Sequence, residues 1–210
     1  MDKNEKHIVS KFNHKAKGYD KSGFVKSYYS TARKILMDRL LLQKGMNILD
    51  IGCGTGSDVI EIANRLHGTG RVIGMDLSDK MIDLARKKAS GYINVEFVVG
   101  NALSINYHEY FDYVFTTNAF HHFEKKEEIF KKVYQSLKVE GIFLLQDFSS
   151  DYPVMRIIDF LGRIGEKAHA GFGTSKELMN LYQSANYRNI WVETFKLNWY
   201  KGIMIGHGNK

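Results

Sequence analysis

Cysteine occurs once in the 210 residues, at position 53, and proline once, at position 153. A lone cysteine cannot close an intramolecular disulfide framework; it fits a reducing compartment and supplies no thiolate cluster for a metal. No apolar run reaches the roughly 18 residues of a membrane-spanning helix. The opening Met1-Asp2-Lys3-Asn4-Glu5 is too polar for a signal peptide. Repeats and low-complexity segments are also missing. What is there, with 44% hydrophobic residues, has the length and composition of one ordinary globular domain with a sizeable core.

Acids are scarce where the chain begins. Residues 1–39 hold ten Lys or Arg against four Asp or Glu, most of the excess behind a net charge of +7. A basic arm can meet nucleic acid or an acidic substrate, although a solvated lysine-rich terminus is the plainer reading. Residues 1–20 lack sustained periodicity and are expected to be mobile without a ligand. Tyr28, Ala32 and Ile35 then repeat at helical spacing into Leu36 and Leu40, which predicts a helix ending near Lys44-Gly45.

The organising stretch is Asn47 to Gly56, N-I-L-D-I-G-C-G-T-G. Ile48, Leu49 and Ile51 form the short apolar run of a buried parallel strand, and glycines follow at 52, 54 and 56. Val59, Ile62, Ala63 and Leu66 then mark one face of a helix. Strand, glycine turn and helix N-terminus in that order make a cradle: backbone approaches a ligand closely, and free N–H groups attract an anionic group. A dinucleotide site would want glycine at 57, where this chain has Ser. Asp50 precedes the turn, and Asp76 ends the next apolar run, 20 residues past Gly56, where an acid can accept both hydroxyl protons of a ribose.

From residue 46 onward strands and helices alternate, the signature of a doubly wound parallel sheet. Strands are expected at 47–51, 71–76, 94–99, 112–117 and 141–147, and helices at about 57–67, 79–89 and 125–138. Ser78 is the expected N-cap of the second helix, and Phe130, Val133, Tyr134 and Leu137 the buried stripe of the third. Between 152 and 173, Val154, Ile157, Ile158 and Leu161 again share a helical face, followed by Ala168-His169-Ala170-Gly171-Phe172-Gly173. This insertion suits a substrate lid, or a plain connector whose stripe faces the core. Thr174 and Glu177 read as a capping box, and two strand-like runs, 190–199 and 202–206, close the chain.

D-I-G-C-G-T-G followed by a strand-terminal acid closely resembles the first two motifs of the class I S-adenosylmethionine (SAM)-dependent methyltransferases, a likeness covering roughly 45–206. The resemblance implies a Rossmann-like α/β fold: a seven-stranded, mostly parallel sheet with helices on both faces and a C-terminal antiparallel hairpin. It implies a basic arm and helix over 1–44, in which Tyr19 folds over the cofactor, and a SAM-binding domain over 45–210. Asp50 and the turn Gly52, Cys53, Gly54 and Gly56 would hold the methionine end, Asp76 the ribose, and Leu77 and Met81 the adenine. Asn101 and Ala102 stand where the family has an acid and a small residue; the Asn101 carbonyl oxygen can still accept from the adenine amino group. Cys53 is read as a small space-filler rather than a nucleophile.

Thr117-Asn118-Ala119-Phe120-His121-His122-Phe123 resembles the A-x-H-H-F segment of the branch containing ubiquinone and menaquinone biosynthesis methyltransferases, and Asn118 joins the implied cofactor residues. His121 or His122 could deprotonate an acceptor hydroxyl, since an imidazole titrates near pH 6.5, and Asp147 could bind substrate from the end of the fifth strand. His169 is a further candidate from the possible lid. Adjacent histidines lack the i, i+4 spacing of a helical zinc pair, so no metal is expected. With one proline there is no (Asn/Asp)-Pro-Pro-aromatic motif and no Pro-Cys nucleophile, which weighs against nucleobase methylation. The implied protein is a cytoplasmic SAM-dependent methyltransferase of a small molecule, releasing S-adenosylhomocysteine. An RNA methyltransferase using the basic arm and a non-catalytic SAM-binding protein are the alternatives.

Overall fold

The structure, a computed structural model, describes residues 3–21, 30–165 and 169–210. Tyr28 and Ala168, each read above as part of a pattern, lie outside the described residues. The chain has two compact units, Met1–Ser104 and Ile105–Lys210. Together they carry the seven strands of a mostly parallel, Rossmann-like sheet with a C-terminal antiparallel hairpin, the fold class the sequence implies.

In the first unit β1 (Asn47–Ile51), β2 (Arg71–Asp76) and β3 (Val95–Val99) are parallel, with β2 in the middle. The apolar runs of β1 and β2 are buried because the crossover helices cover them, whereas in β3 only Phe97 is buried. The crossover helices are α3 (Ser57–Arg65), which buries Val59, Ile62 and Ala63, and α4 (Asp79–Lys88), which buries Met81, Ile82 and Ala85. Ser78 caps α4 as expected, its hydroxyl accepting the Met81 N–H at 3.1 Å. The helix α2 (Ser30–Met37) and the loop after it bury Ala32, Leu36 and Leu40.

The expected mobile start is instead helical: α1 (Lys3–Lys15) runs into a 3₁₀ turn, Ala16–Lys21. Its only buried side chain is Ile8, so apolar periodicity could not announce it. Polar side chains dock it. Asn13 Oδ1 accepts the Ser78 hydroxyl at 2.5 Å, Asn13 Nδ2 donates to Asp79 at 2.8 Å, and Asn101 donates to Glu5. Asp20 accepts the Thr55 hydroxyl at 2.7 Å and pairs with Lys88. Burial raises the Asp20 pKa, but the Lys88 and Thr55 hydrogen bonds outweigh it and hold it below the ordinary value.

In the second unit β4 (Phe111–Thr117) lies parallel to β5 (Leu137–Phe148). The last strand β7 (Gly202–Asn209) inserts antiparallel between β5 and β6 (Arg188–Lys196). The helix α5 (Lys126–Ser136) buries Ile129, Phe130, Val133 and Ser136; Tyr134 is half-buried, and Leu137 already begins β5. A capping box of Thr174 and Glu177 opens α7 (Ser175–Ser184), as expected. Behind it Tyr182 and Tyr187 donate to the Phe143 and Phe130 carbonyls at 3.1 Å each, so two buried phenols are satisfied inside an aromatic core.

The helix α6 (Pro153–Gly165) corrects the core-stripe reading. Its buried residues are Met155 and Asp159, while Ile157, Ile158 and Leu161 are exposed and Val154 is half-buried. The helix is amphipathic, but its apolar face points outward. The inward face is instead fixed by the Asp159 carboxylate, which accepts the Phe172 N–H at 2.6 Å and binds His169 and Arg163.

Candidate functional site

The residues singled out in the sequence gather in two clusters, one in each unit. In the first unit, the turn after β1 holds Gly52, Gly54 and Gly56 at φ of 79°, 53° and 75°, all left-handed. The turn is laced to the end of β2. Gly52 and Cys53 donate to the Met75 carbonyl at 2.7 and 3.0 Å, and the Gly54 N–H reaches Asp76 Oδ2 at 2.9 Å. Gly56 caps α3, and a Cβ there would lie 2.6 Å from the Phe97 ring. A Cβ at Gly54 would meet nothing within 4 Å, so the turn presents open space on that side. Cys53 is buried, and burial followed by the nearby Asp50, Asp76 and Asp58 pushes its thiol well up, which fits a space-filler.

Asp50 is 1% exposed, and neither carboxylate oxygen has a partner among the described residues. Burial, then the charges of Asp58 and Asp76, raise its pKa well above the ordinary value; Arg33, which pairs with Asp58, opposes this. An orphaned acid beneath a glycine turn is suited to a cationic ligand group. Asp76 is better provided: Oδ1 accepts the Ser78 N–H at 2.8 Å while Oδ2 holds Gly54. Each oxygen keeps a lone pair for a hydroxyl. Burial raises the Asp76 pKa, and the backbone N–H groups of Ser78, Gly54 and Leu77 lower it in part.

Met81 is buried and Leu77 half-buried at the start of α4, and Ala102 is buried after β3. Asn101 Oδ1 already accepts the Leu103 N–H at 2.8 Å, leaving one lone pair for an adenine amino group. Tyr19 is half-buried on the 3₁₀ turn whose Asp20 binds Thr55, so the arm reaches the glycine turn itself. The part that Thr55 and the arm residues Glu5 and Asn13 play in these contacts was not legible in the sequence. Their contacts span 35 to 96 residues of chain and leave no local pattern.

In the second unit, a 3₁₀ turn after β4 (Phe120–His122) delivers His121 to Asp147 near the end of β5. His121 Nδ1 lies 2.9 and 3.0 Å from the two Asp147 oxygens, and its backbone N–H donates to Oδ2 at 2.8 Å. Asp147 is buried and also accepts the Phe148 N–H at 2.7 Å. A carboxylate on Nδ1 fixes the tautomer and leaves Nε2 as the ring's basic nitrogen. His122 is buried with its ring centroid 4.1 Å from that of His121. Asn118 takes φ of 51°, donates its N–H to the Gln146 carbonyl at 2.9 Å, and keeps a buried side-chain oxygen unpaired among the described residues.

The segment after α6 closes on this turn. Ala170 and Gly171 donate to the His121 carbonyl at 2.9 and 3.1 Å, and Lys126 Nζ donates to the Gly171 carbonyl at 3.1 Å. The His169 ring centroid lies 5.5 Å from that of His121, and its Nε2 is 2.7 Å from Asp159. Burial raises the Asp159 pKa, but the Phe172 N–H, His169 and Arg163 outweigh it and hold it below the ordinary value. The sequence reading missed Asp159. The signal was present, as the only acid in an otherwise apolar and basic helix. Among the described residues no three His, Cys, Asp or Glu side chains form a metal-holding group.

A family model described as a methyltransferase domain matches residues 42–192. A demethylmenaquinone methyltransferase of Staphylococcus aureus is 24% identical over 215 aligned residues, covering 91% of this chain and 89% of the relative. Among solved structures, a geranyl diphosphate C-methyltransferase from Streptomyces coelicolor, in complex with Mg²⁺, geranyl diphosphate and S-adenosyl-L-homocysteine, superposes with a TM-score of 0.78. It is 12% identical, over 99% of this chain and 98% of that one. Magnesium protoporphyrin IX methyltransferase from Synechocystis superposes with a TM-score of 0.71 at 18% identity, over 99% and 100%.

Proposed function

This chain belongs to the methyltransferase domain family, and we propose that it transfers the methyl group of S-adenosylmethionine to a small-molecule acceptor. The observation that carries the donor assignment is the buried Asp50 carboxylate, without a hydrogen-bond partner among the described residues, next to a turn of three left-handed glycines whose middle member faces open space. An ammonium group satisfies Asp50, and the lone pairs left on Asp76 suit two ribose hydroxyls. When bound, the donor supplies a sulfonium methyl, and its transfer to a nucleophile is an in-line displacement that disperses charge. The protein's work is therefore alignment, exclusion of water and, for a hydroxyl acceptor, removal of one proton. His121 takes that proton at Nε2, while Asp147 orients the ring and stabilises the imidazolium.

The relatives are named for demethylmenaquinone, geranyl diphosphate and magnesium protoporphyrin IX, all small molecules, which supports a small acceptor. The arm is tied down through Glu5, Asn13 and Asp20 beside the cofactor residues of the first unit, which supports a cover more than an RNA-binding tail. The segment 169–173 plays a similar covering part at His121. The lone cysteine supports a reducing, cytoplasmic setting; among the described residues no helix is long and apolar enough to cross a membrane.

Calorimetry tests the donor assignment. SAM should bind and NAD should not, and SAM binding should release protons. The sign follows from Asp50, whose pKa is raised in the folded chain. It keeps a proton above pH 4 or so that the unfolded chain loses, and it costs stability as pH rises through that window. A cationic partner lowers the pKa and expels the proton. Asp50→Asn should therefore diminish the release, weaken SAM and raise the ligand-free melting temperature at neutral pH. Proton release unchanged in that variant, or tight binding of NAD in place of SAM, would refute the assignment.

A further inference from the structure

Among the described residues ten large hydrophobic side chains are exposed, and half of them fall in one eight-residue stretch of α6: Ile157, Ile158, Phe160, Leu161 and Ile164. Four of them are 60–71% exposed. At helical spacing they cluster on the side opposite the buried Met155 and Asp159, as a convex apolar strip. Trp199 is 78% exposed in the turn between β6 and β7, its ring 4.9 Å from that of Tyr200. The two features leave the second unit side by side. The Tyr152 ring packs on Gly202, and the Ser149 N–H donates to the Gly202 carbonyl at 3.1 Å, so the hairpin tip is anchored beside the first turn of α6. An apolar patch of this kind on a folded chain marks an interaction surface.

The charge at its rim selects the partner. The helix carries Arg156 and the tip carries Lys196 and Lys201, while the one acid in these two segments, Asp159, is turned inward onto His169, Arg163 and the Phe172 N–H. A second copy docked about a two-fold axis would set this cationic rim against itself. A bilayer with anionic headgroups takes the apolar strip into its acyl boundary, the indole and phenol at its interface, and the cations at its phosphates. We infer that α6 and the 197–201 turn form a peripheral docking surface for anionic membranes. The inference goes beyond the methyl-transfer reading and does not rest on it.

The test is cosedimentation of the full chain with phosphatidylcholine vesicles, with and without phosphatidylglycerol. Binding to the phosphatidylglycerol vesicles should exceed binding to phosphatidylcholine alone and weaken with salt. In a Trp191→Phe background, Trp199 fluorescence should shift to the blue on binding. Phe160→Ser with Ile164→Ser should weaken binding by about 10–100-fold, with the melting temperature preserved because both side chains are exposed. Lys196→Glu with Lys201→Glu, which leaves α6 untouched, should abolish the preference for phosphatidylglycerol. Absence of binding to either vesicle would overturn the proposal, as would binding unaffected by both double variants. So would a dimer in light scattering that Phe160→Ser dissociates without any vesicle binding, since the strip would then belong to a second copy.

Discussion

His121→Ala is expected to lower turnover by about 10²–10⁴ while leaving SAM affinity nearly unchanged. The expectation rests on the Asp147 carboxylate, buried and held 2.9 Å from Nδ1, which leaves Nε2 as the basic atom. The fold should survive the change. With the ring gone, Asp147 still accepts the backbone N–H groups of residues 121 and 148, so the loss is one hydrogen bond of a charged group, about 1–3 kcal/mol. Asp147→Asn provides the complement: an amide can present its N–H to Nδ1 and stabilise the wrong tautomer, so turnover should drop with the imidazole still in place. Measuring turnover, acceptor KM, SAM affinity and melting temperature on both variants separates the possible roles. A rise in KM with little change in turnover would make His121 a shaping residue. Loss of SAM binding in a folded protein would move it to the cofactor and withdraw the base.

The second large effect is expected from the glycine turn, where two neighbours should behave differently. Gly56→Ala places a methyl at φ of 75° and 2.6 Å from the Phe97 ring, with Ala85 at 2.9 Å on the other side. The left-handed backbone costs about 1–2 kcal/mol and the overpacking about 1–3 kcal/mol. The sum of roughly 2–5 kcal/mol corresponds to a fall in melting temperature of roughly 5–20 °C for a chain of this size. Gly54→Ala carries the backbone cost alone, since its Cβ meets no atom within 4 Å. It should fold nearly as well as the parent yet lose SAM affinity, because the methyl occupies the space left for the ligand. Unchanged affinity in Gly54→Ala would mean that the open side of the turn is not where SAM lies.

The elements that were legible in the sequence are those set by neighbours within a few residues. Glycines at 52, 54 and 56 predicted a turn between strand and helix, Ser78 a helix cap, and Thr174 with Glu177 a capping box, and all three are present. The strands β1 and β2 fall at the expected residues because apolar runs bounded by glycine and acid have little other use. The candidate site was partly legible for the same reason. Asp50 and Asp76 sit at strand ends and His121 in the turn that follows one, and strand ends can be read from hydropathy alone. The docking of α1 through Asn13 and of Asp20 through Thr55 was not legible, since a polar side chain carries no mark of the partner it will find 65 or 35 residues away.

By itself the sequence determined the order of strands and helices from residue 46 onward, the glycine cradle with its two acids, and through them the family. These follow from backbone sterics and the spacing of apolar residues, which act within one element. Only the tertiary structure decided that Asp50 is buried with no hydrogen-bond partner among the described residues while Asp76 already holds two N–H groups, and that Asp147 binds the His121 ring. It also decided that the apolar stripe of α6 faces outward, with Asp159 beneath it. Periodicity fixes which side chains share a face of a helix. Which surface that face meets depends on the free energy of every competing contact, and those contacts come from distant parts of the chain.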